Sequence, residues 1–219
     1  MAEDIVVIGA GGFGRETLDV IEAINSASAQ PVWRLVGVVD DDPAEMQVRR
    51  LQVRGVPVLG RLDALQTQAV ACHYVVSIGA PAVRSRITRI MDGLGGRPAT
   101  LIHPRAVVGT QAIVGQGTIV CAGALLSTNL RIGSHVHINP GAIIGHDTVL
   151  EDFVSVNPGA IVSGEVKVRT RTLVGAGATI LQGRTIGGDS IVGAAACVTK
   201  DVADQTTVVG VPASSKQAR

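Results

Sequence analysis

The sequence predicts two architectures in series, a small parallel α/β domain and then a parallel β-helix. Three observations carry this. Every sixth residue from Ile102 to Val198 is Ile, Val or Leu, seventeen positions over 96 residues without a slip. The hexad Ile138-Asn139-Pro140-Gly141-Ala142-Ile143 recurs 18 residues later as Val156-Asn157-Pro158-Gly159-Ala160-Ile161. Ahead of both, short apolar runs alternate with helically spaced segments and open on a strand, glycine loop and helix.

A helix repeats near 3.6 residues and a strand near 2, so neither explains a period of six. A coil of short strands with tight corners does: each hexad is one side, and three sides close a turn. Stacked turns pair their backbones about 4.8 Å apart, and β-branched residues pack on their counterparts one turn away. The residue four after each apolar position is usually small (Ala106, Thr118, Ala142, Thr172), with Leu130 and Arg184 the clear departures. Asn139 is expected to lie over Asn157. A β-sandwich rich in Val and Gly would lose phase at its loops.

The α/β region opens on the run Asp4–Ile8 and the loop Gly9-Ala10-Gly11-Gly12-Phe13-Gly14, followed by helical spacing from Arg15 to Asn25. That context raises a G-x-G-x-x-G above chance, because glycines admit a phosphate to the helix N-terminus. The bland reading is a tight turn that lets helix and strand pack. A second strand, Leu35–Val39, ends in Asp40-Asp41-Asp42, where such folds place a carboxylate on a ribose or base. Then come Val56–Gly60, a helix-like Asp63–Gln68, a strand Tyr74–Ile78 and a helix from Ala82 to Leu94; Gly95-Gly96-Arg97-Pro98 reads as the linker. This is half of a dinucleotide-binding, Rossmann-like fold. Residues 1–98 and 99–219 are the expected domains. A nicotinamide or flavin cofactor would need a second α/β half, so a nucleotide-linked sugar suits the half-sized domain better.

Nineteen Lys and Arg against 18 Asp and Glu give a net charge of +1, so there is no electrostatic argument for nucleic acid or a membrane surface. Aromatic residues are scarce and the 27 glycines abundant, as a narrow β-helix interior requires. The mean hydropathy of +0.37 points to flat apolar sides buried between subunits. Three scattered cysteines suggest a reducing compartment, and neither a signal peptide nor a run of 18 apolar residues is present. A cytoplasmic protein is expected.

Among the histidines, His146 stands beside a corner with Asp147 after it and Gly164 one turn below. The glycine suggests open space and a reachable backbone N–H for a reacting carbonyl; the bland reading is an idle surface histidine. His135 and His137 share a face, while His73 and His103 read as structural or exposed.

The glycine-rich head, the Asp40-Asp41 pair, the unbroken coil and the closing Val209-Gly210-Val211-Pro212-Ala213 resemble the hexapeptide-repeat sugar acetyltransferases. That class includes nucleotide-4-amino-sugar N-acetyltransferases and sialic-acid O-acetyltransferases, and the likeness covers nearly the whole chain. It implies a left-handed coil, against the usual crossover preference, and a homotrimer with acetyl-CoA in the groove between subunits. It implies His146 as general base and Asp147, where the family usually has Glu, as its partner. Asn139 matches an asparagine near the acceptor. Many members carry a second histidine where this chain has Ser155, which stacks on His137 one turn away, so both are expected beside the acceptor. Backbone at Gly164, Ala176, Gly177, Ala194, Ala195, Val211 and Pro212 would hold coenzyme A. Gly11, Gly12, Gly14, Asp40 and Asp41 would hold the nucleotide.

The reading is acetyl transfer from acetyl-CoA to the amine of a nucleotide-linked amino sugar, directly and without an acyl-enzyme. Cys121 and Cys197 occupy unrelated positions on the coil and do not suggest a nucleophile. Some related trimers bind zinc through histidines five apart; spacings of 2, 9 and 11 among His135, His137 and His146 do not match, and no metal is expected. The alternatives are O-acetylation of sialic acid or a related sugar, a nicotinamide-dependent oxidoreductase and a non-catalytic nucleotide-binding trimer.

Overall fold

The computed structural model describes residues 1–63 and 72–216. Its head is a parallel sheet of order β3-β2-β1-β4-β5, formed by β1 (Glu3–Ile8), β2 (Trp33–Val39), β3 (Val58–Gly60), β4 (His73–Val76) and β5 (Arg97–Pro98). Helices α1 (Gly12–Ala27), α2 (Glu45–Val53) and α3 (Pro81–Gly93) connect the strands. The chain reverses direction across the sheet between β1 and β4, so the carboxyl ends of those strands flank the crevice where open α/β sheets bind ligands.

One expectation needs correction. Arg97–Pro98 is no linker: it pairs with His73–Tyr74 as the edge strand, where a missing proline N–H costs nothing. Helix α2 carried no sequence signal because only Leu51 of its nine residues is buried, leaving no apolar stripe to read. The helix expected over Asp63–Gln68 lies, after Asp63, outside the described residues.

The coil runs from β6 (Leu101–Ile102) to β22 (Cys197–Val198) in strands of two residues, each pairing in parallel with the strand 18 residues away. Three sheets form its sides. The first side contains β6, β9 (Ile119–Val120), β12 (His137–Ile138) and β15 (Ser155–Val156); the second contains β10 (Leu125–Leu126), β13 (Ile143–Ile144) and β16 (Ile161–Val162); the third contains β11 (Arg131–Ile132), β14 (Val149–Leu150) and β17 (Lys167–Val168). A terminal hairpin, β23 (Thr207–Val209) and β24 (Ser214–Ser215), closes the first side.

The period-six residues fill the interior from Val120 to Val198, each at most 3% exposed. Only the open first turn leaves Ile102 and Val108 partly bare, at 36% and 39%. Truncating one of the buried Leu or Ile residues to Ala costs about 2–5 kcal/mol, because the stacked turns cannot collapse into the hole. Buried threonines are satisfied across turns: Thr118, Thr148 and Thr172 each donate a hydroxyl to the carbonyl of Gly133, Ser163 and Gly187, at 2.9, 3.0 and 2.7 Å.

Corners repeat with the same period. Every sixth residue from Gln111 to Ala195 has φ between 54° and 71°, and nine of these fifteen are not glycine. The backbone ladder holds them in a region that Asp and Asn tolerate better than most residues. Asp147, His135 and Phe153 are three of the nine.

The three sides differ outside. The first is sealed by the head: Leu101 and Ile119 are 0% exposed and join the core of Ile5, Val7, Leu18 and Val75. The second presents a bare apolar strip of Val107, Leu125, Ile143 and Ile161. The third turns out Arg131, Val149, Lys167 and Thr185.

Candidate active site

Corner geometry builds the site. Ile144 enters the core, Gly145 closes on Ser163 and Gly164 below, and the next two residues carry the functional side chains outward. His146 Nδ1 lies 2.7 Å from Asp147 Oδ2, and Asn129, one turn earlier, donates to Asp147 Oδ1. A carboxylate can only accept, so Nδ1 carries the proton and Nε2 the lone pair. The amide of Asn129, then His146, holds the Asp147 carboxyl below the ordinary carboxylate value. The imidazole is half exposed, and Nε2 has no hydrogen-bond partner among the described residues. The arrangement orients one imidazole nitrogen and leaves the other available, which is what general-base catalysis needs.

Gly164 does lie beneath His146, but it leaves no open pocket. A Cβ there would meet Nε2 at 2.5 Å and Cε1 at 2.6 Å, so the ring itself fills the space. The glycine seats the imidazole. Asn129 escaped sequence reading, though it stands 18 residues before Asp147 and the repeat could have found it.

Asn139 lies at the corner between the first and second sides. Its amide donates to the Val156 carbonyl at 3.0 Å and reaches Asn157 Oδ1 at 3.4 Å, the stacking expected from the repeat. Ala176, Gly177, Ala194 and Ala195 continue this ridge, all exposed, with Ala195 N–H bonded to the Ala176 carbonyl at 2.9 Å. Gly164 belongs instead to the His146 corner, across the apolar strip. The expected coenzyme residues therefore lie on two edges of one side and make no single groove on one chain. Val211 and Pro212 are exposed beside β22, where Cys197 N–H donates to Gly210 O and Ala213 N–H to Cys197 O.

His137 and Ser155 correct the reading more sharply, since neither can meet an acceptor. They are 1% exposed, sealed under the head. His137 Nε2 donates to the Val76 carbonyl at 2.9 Å, and its ring packs on Phe13 at 4.6 Å between centroids. Burial, then the charge of Arg84, pushes its pKa well below the usual histidine value, which also removes it as a substitute base. Ser155 Oγ donates to the Gly79 carbonyl at 3.2 Å and accepts from Arg84 at 2.9 Å.

In the head, a cavity of about 160 Å³ opens at the carboxyl ends of β1 and β2, lined by Gly9, Val39, Asp40, Asp41, Leu62, Ile78 and Arg86 among others. Asp40 is engaged by the fold: Oδ2 takes the Ala10 N–H at 2.8 Å and Oδ1 the Asp42 N–H at 3.0 Å. Asp41 accepts the Leu62 N–H on Oδ1 at 2.8 Å, leaving Oδ2 toward the cavity rim. The loop glycines divide in role. A Cβ at Gly14 would strike the Gly9 carbonyl oxygen at 1.9 Å, so the chain itself demands that glycine. Gly11 and Gly12 meet nothing within 4 Å; only something outside the chain would use the clearance. The unpaired N–H groups of the first turn of α1 point there.

A hollow of about 410 Å³ on the third side, between Arg131 and Asp152, contains none of these residues. Burial pushes the Cys121 thiol up to about 12, which excludes a thiolate nucleophile there. Among the described residues no three His, Cys, Asp or Glu side chains gather to hold a metal ion, and no helix is long and apolar enough to cross a membrane.

Comparison with known proteins now has a geometry to act on. A family model for the PglD N-terminal domain matches residues 4–91. PerB of Caulobacter crescentus, a crystal structure in complex with CoA and GDP-perosamine, superposes with a TM-score of 0.84 at 33% identity, covering 98% of this chain and 97% of that one. The chain belongs to the nucleotide amino-sugar N-acetyltransferase family. Its coil is accordingly a left-handed parallel β-helix. The acetyltransferase domain of PglB from Neisseria gonorrhoeae FA1090, in complex with acetyl coenzyme A, matches with a TM-score of 0.78 at 28% identity over 99% of this chain and 100% of that one. A GDP-perosamine N-acetyltransferase of Escherichia coli O157:H7 is 32% identical over 133 residues, 61% of this chain and 58% of that protein. The matched segments span just over half the length of the curated relatives.

Proposed function

We propose that the protein acetylates the amine of a nucleotide-linked amino sugar with acetyl-CoA, and that His146 is the general base. The observation that carries this is the Asn129–Asp147–His146 relay, which fixes one imidazole nitrogen and leaves the other free on a coil corner. The sugar nitrogen attacks the thioester carbonyl and forms the amide bond. Nε2 removes the proton from the attacking nitrogen, the carbon–sulfur bond breaks, and the imidazolium returns that proton to the departing sulfur, so coenzyme A leaves as the thiol, with no acyl-enzyme and no metal.

Residues 1–98 hold the nucleotide through Gly11, Gly12 and Asp41, while Gly14 and Asp40 shape the loop. Residues 99–219 carry the transfer. The head covers the first side of the coil, and His146 stands at the opposite corner, so a sugar held by one head cannot meet the base of its own chain. Three copies packed with their apolar second sides inward resolve this. The His146 and Gly164 edge of one copy then abuts the Asn139–Ala176–Ala194 ridge of the next, closing a groove for coenzyme A and bringing the neighbour's head alongside. A homotrimer in the cytoplasm follows from this reading. GDP-perosamine in the PerB complex and the curated N-acetyltransferases favour an amine acceptor over a hydroxyl.

The test is steady-state acetylation of GDP- and UDP-linked 4-amino sugars by wild type and His146→Ala. The expected result is a loss in kcat of roughly 10²–10⁴-fold with an unchanged melting temperature. A loss below tenfold would place the base elsewhere.

A further inference from the structure

Arg84 is 0% exposed, and no carboxylate among the described residues pairs with it. A buried guanidinium costs several kcal/mol unless its N–H groups are matched, so its partners merit a full account. From the first turn of α3, Nη1 donates to the Ile78 carbonyl at 2.7 Å and to Gly79 at 3.3 Å, both in the head. Nε donates to the His135 carbonyl at 2.9 Å, and Nη2 to the Phe153 carbonyl at 2.7 Å and Ser155 Oγ at 2.9 Å, all in the coil. Ser155 returns a bond to Gly79. Burial lowers the guanidinium to about 9, which leaves it charged at neutral pH.

The head residues held this way are the wall of the nucleotide cavity: Ile78, Val83, Arg86 and Ile87 line it from the β4–α3 connection and α3. The facing wall, Val39 to Asp41 and Leu62, has no such tie to the coil among the described residues. We infer that Arg84 is a positioning residue: its forked donors lock the cavity wall to the coil and so set where the acceptor amine falls relative to the catalytic corner. This rests on the acyl-transfer reading, in which a head reaches the neighbour's base through its own coil and the packing of coil on coil. A lysine supplies three donors from one point and cannot span the same acceptors.

The experiment compares wild type with Arg84→Lys and with the milder Ser155→Ala, which keeps the fold if the lysine variant does not. Each is assayed with a nucleotide-linked 4-amino sugar and with the same amino sugar lacking the nucleotide. The expected result is a fall of at least tenfold in kcat for the nucleotide-linked acceptor. The free sugar's kcat/KM and the KM for acetyl-CoA stay within twofold. Amide hydrogen exchange over residues 76–87 and 135–155, which requires no turnover, should speed up at least fivefold. Equal loss on both acceptors, a lowered melting temperature without acceptor-specific loss, or unchanged exchange would each overturn the inference. If wild type acetylates neither acceptor the acyl-transfer reading fails, and the exchange result still decides whether Arg84 locks the two parts.

Discussion

Gly164→Ala puts the seat of the base to the test. The glycine φ lies outside the left-handed region, so alanine meets no backbone strain. What it meets is the imidazole, with Nε2 at 2.5 Å and Cε1 at 2.6 Å from the new methyl. An ordinary contact is about 3.5 Å, so the ring must move by about 1 Å. Asp147 resists because its carboxylate is already held by Asn129, and the 2.7 Å bond to Nδ1 lengthens or rotates. A displacement of about 1 Å at a reacting group costs about 10²-fold. Stopped-flow or steady-state acetylation should show that loss in kcat, with the KM for acetyl-CoA changed less than threefold and the melting temperature nearly unmoved. The double variant His146→Ala/Gly164→Ala separates seat from binding surface. If the glycine acts only through the imidazole, the second change adds no loss to the first. A further tenfold fall in the double variant, or a single variant within threefold of wild type, would refute the seat and return Gly164 to the coenzyme groove.

Asp147→Asn presents an amide where Nδ1–H and the Asn129 amide both need an acceptor, and one oxygen cannot serve both; kcat should fall at least tenfold. Asp41→Ala removes a carboxylate from the cavity rim and should raise the KM for the nucleotide sugar about 10–100-fold while leaving that for acetyl-CoA alone; equal effects on both would discredit the two-site division. His135 and His137 are buried with lowered pKa values, so the unfolded chain binds more protons below its histidine pKa near 6.5 and stability falls as pH drops through that value. The loss is visible as a falling melting temperature below pH 6.5 that His137→Gln should flatten.

The coil was legible because its physics is periodic. A side chain that must enter a narrow interior every sixth residue leaves a mark no other fold makes, and the same period located the Asn139–Asn157 stack and the His146–Gly164 column. Left-handed corners were less legible: nine of fifteen carry a side chain, since the interturn ladder, such as Glu165 N–H to His146 O at 2.8 Å, holds the backbone there without glycine. In the head, α1 and the strands announced themselves by buried apolar residues, whereas α2 buries one and stayed silent.

What the sequence could not give was the contact between its two halves. His137 and Ser155 read as site residues because the family resemblance puts a histidine at the Ser155 position and the repeat stacks His137 on it. The head descends on that side, with Phe13 against the imidazole, Val76 and Gly79 as acceptors, and Arg84 from a helix 51 to 71 residues away in sequence. No periodicity relates positions in a helix to positions in a coil, so nothing in the pattern marks Arg84 as different from its exposed neighbours Arg86 and Arg89. The consequence is chemical as well as structural. A polar seam of histidine, serine and guanidinium closes only when each donor meets its carbonyl, and a head shifted by one residue would leave a buried charge without acceptors. An apolar seam would tolerate sliding. The polar seam does not, and it gives each head a single position on its own coil.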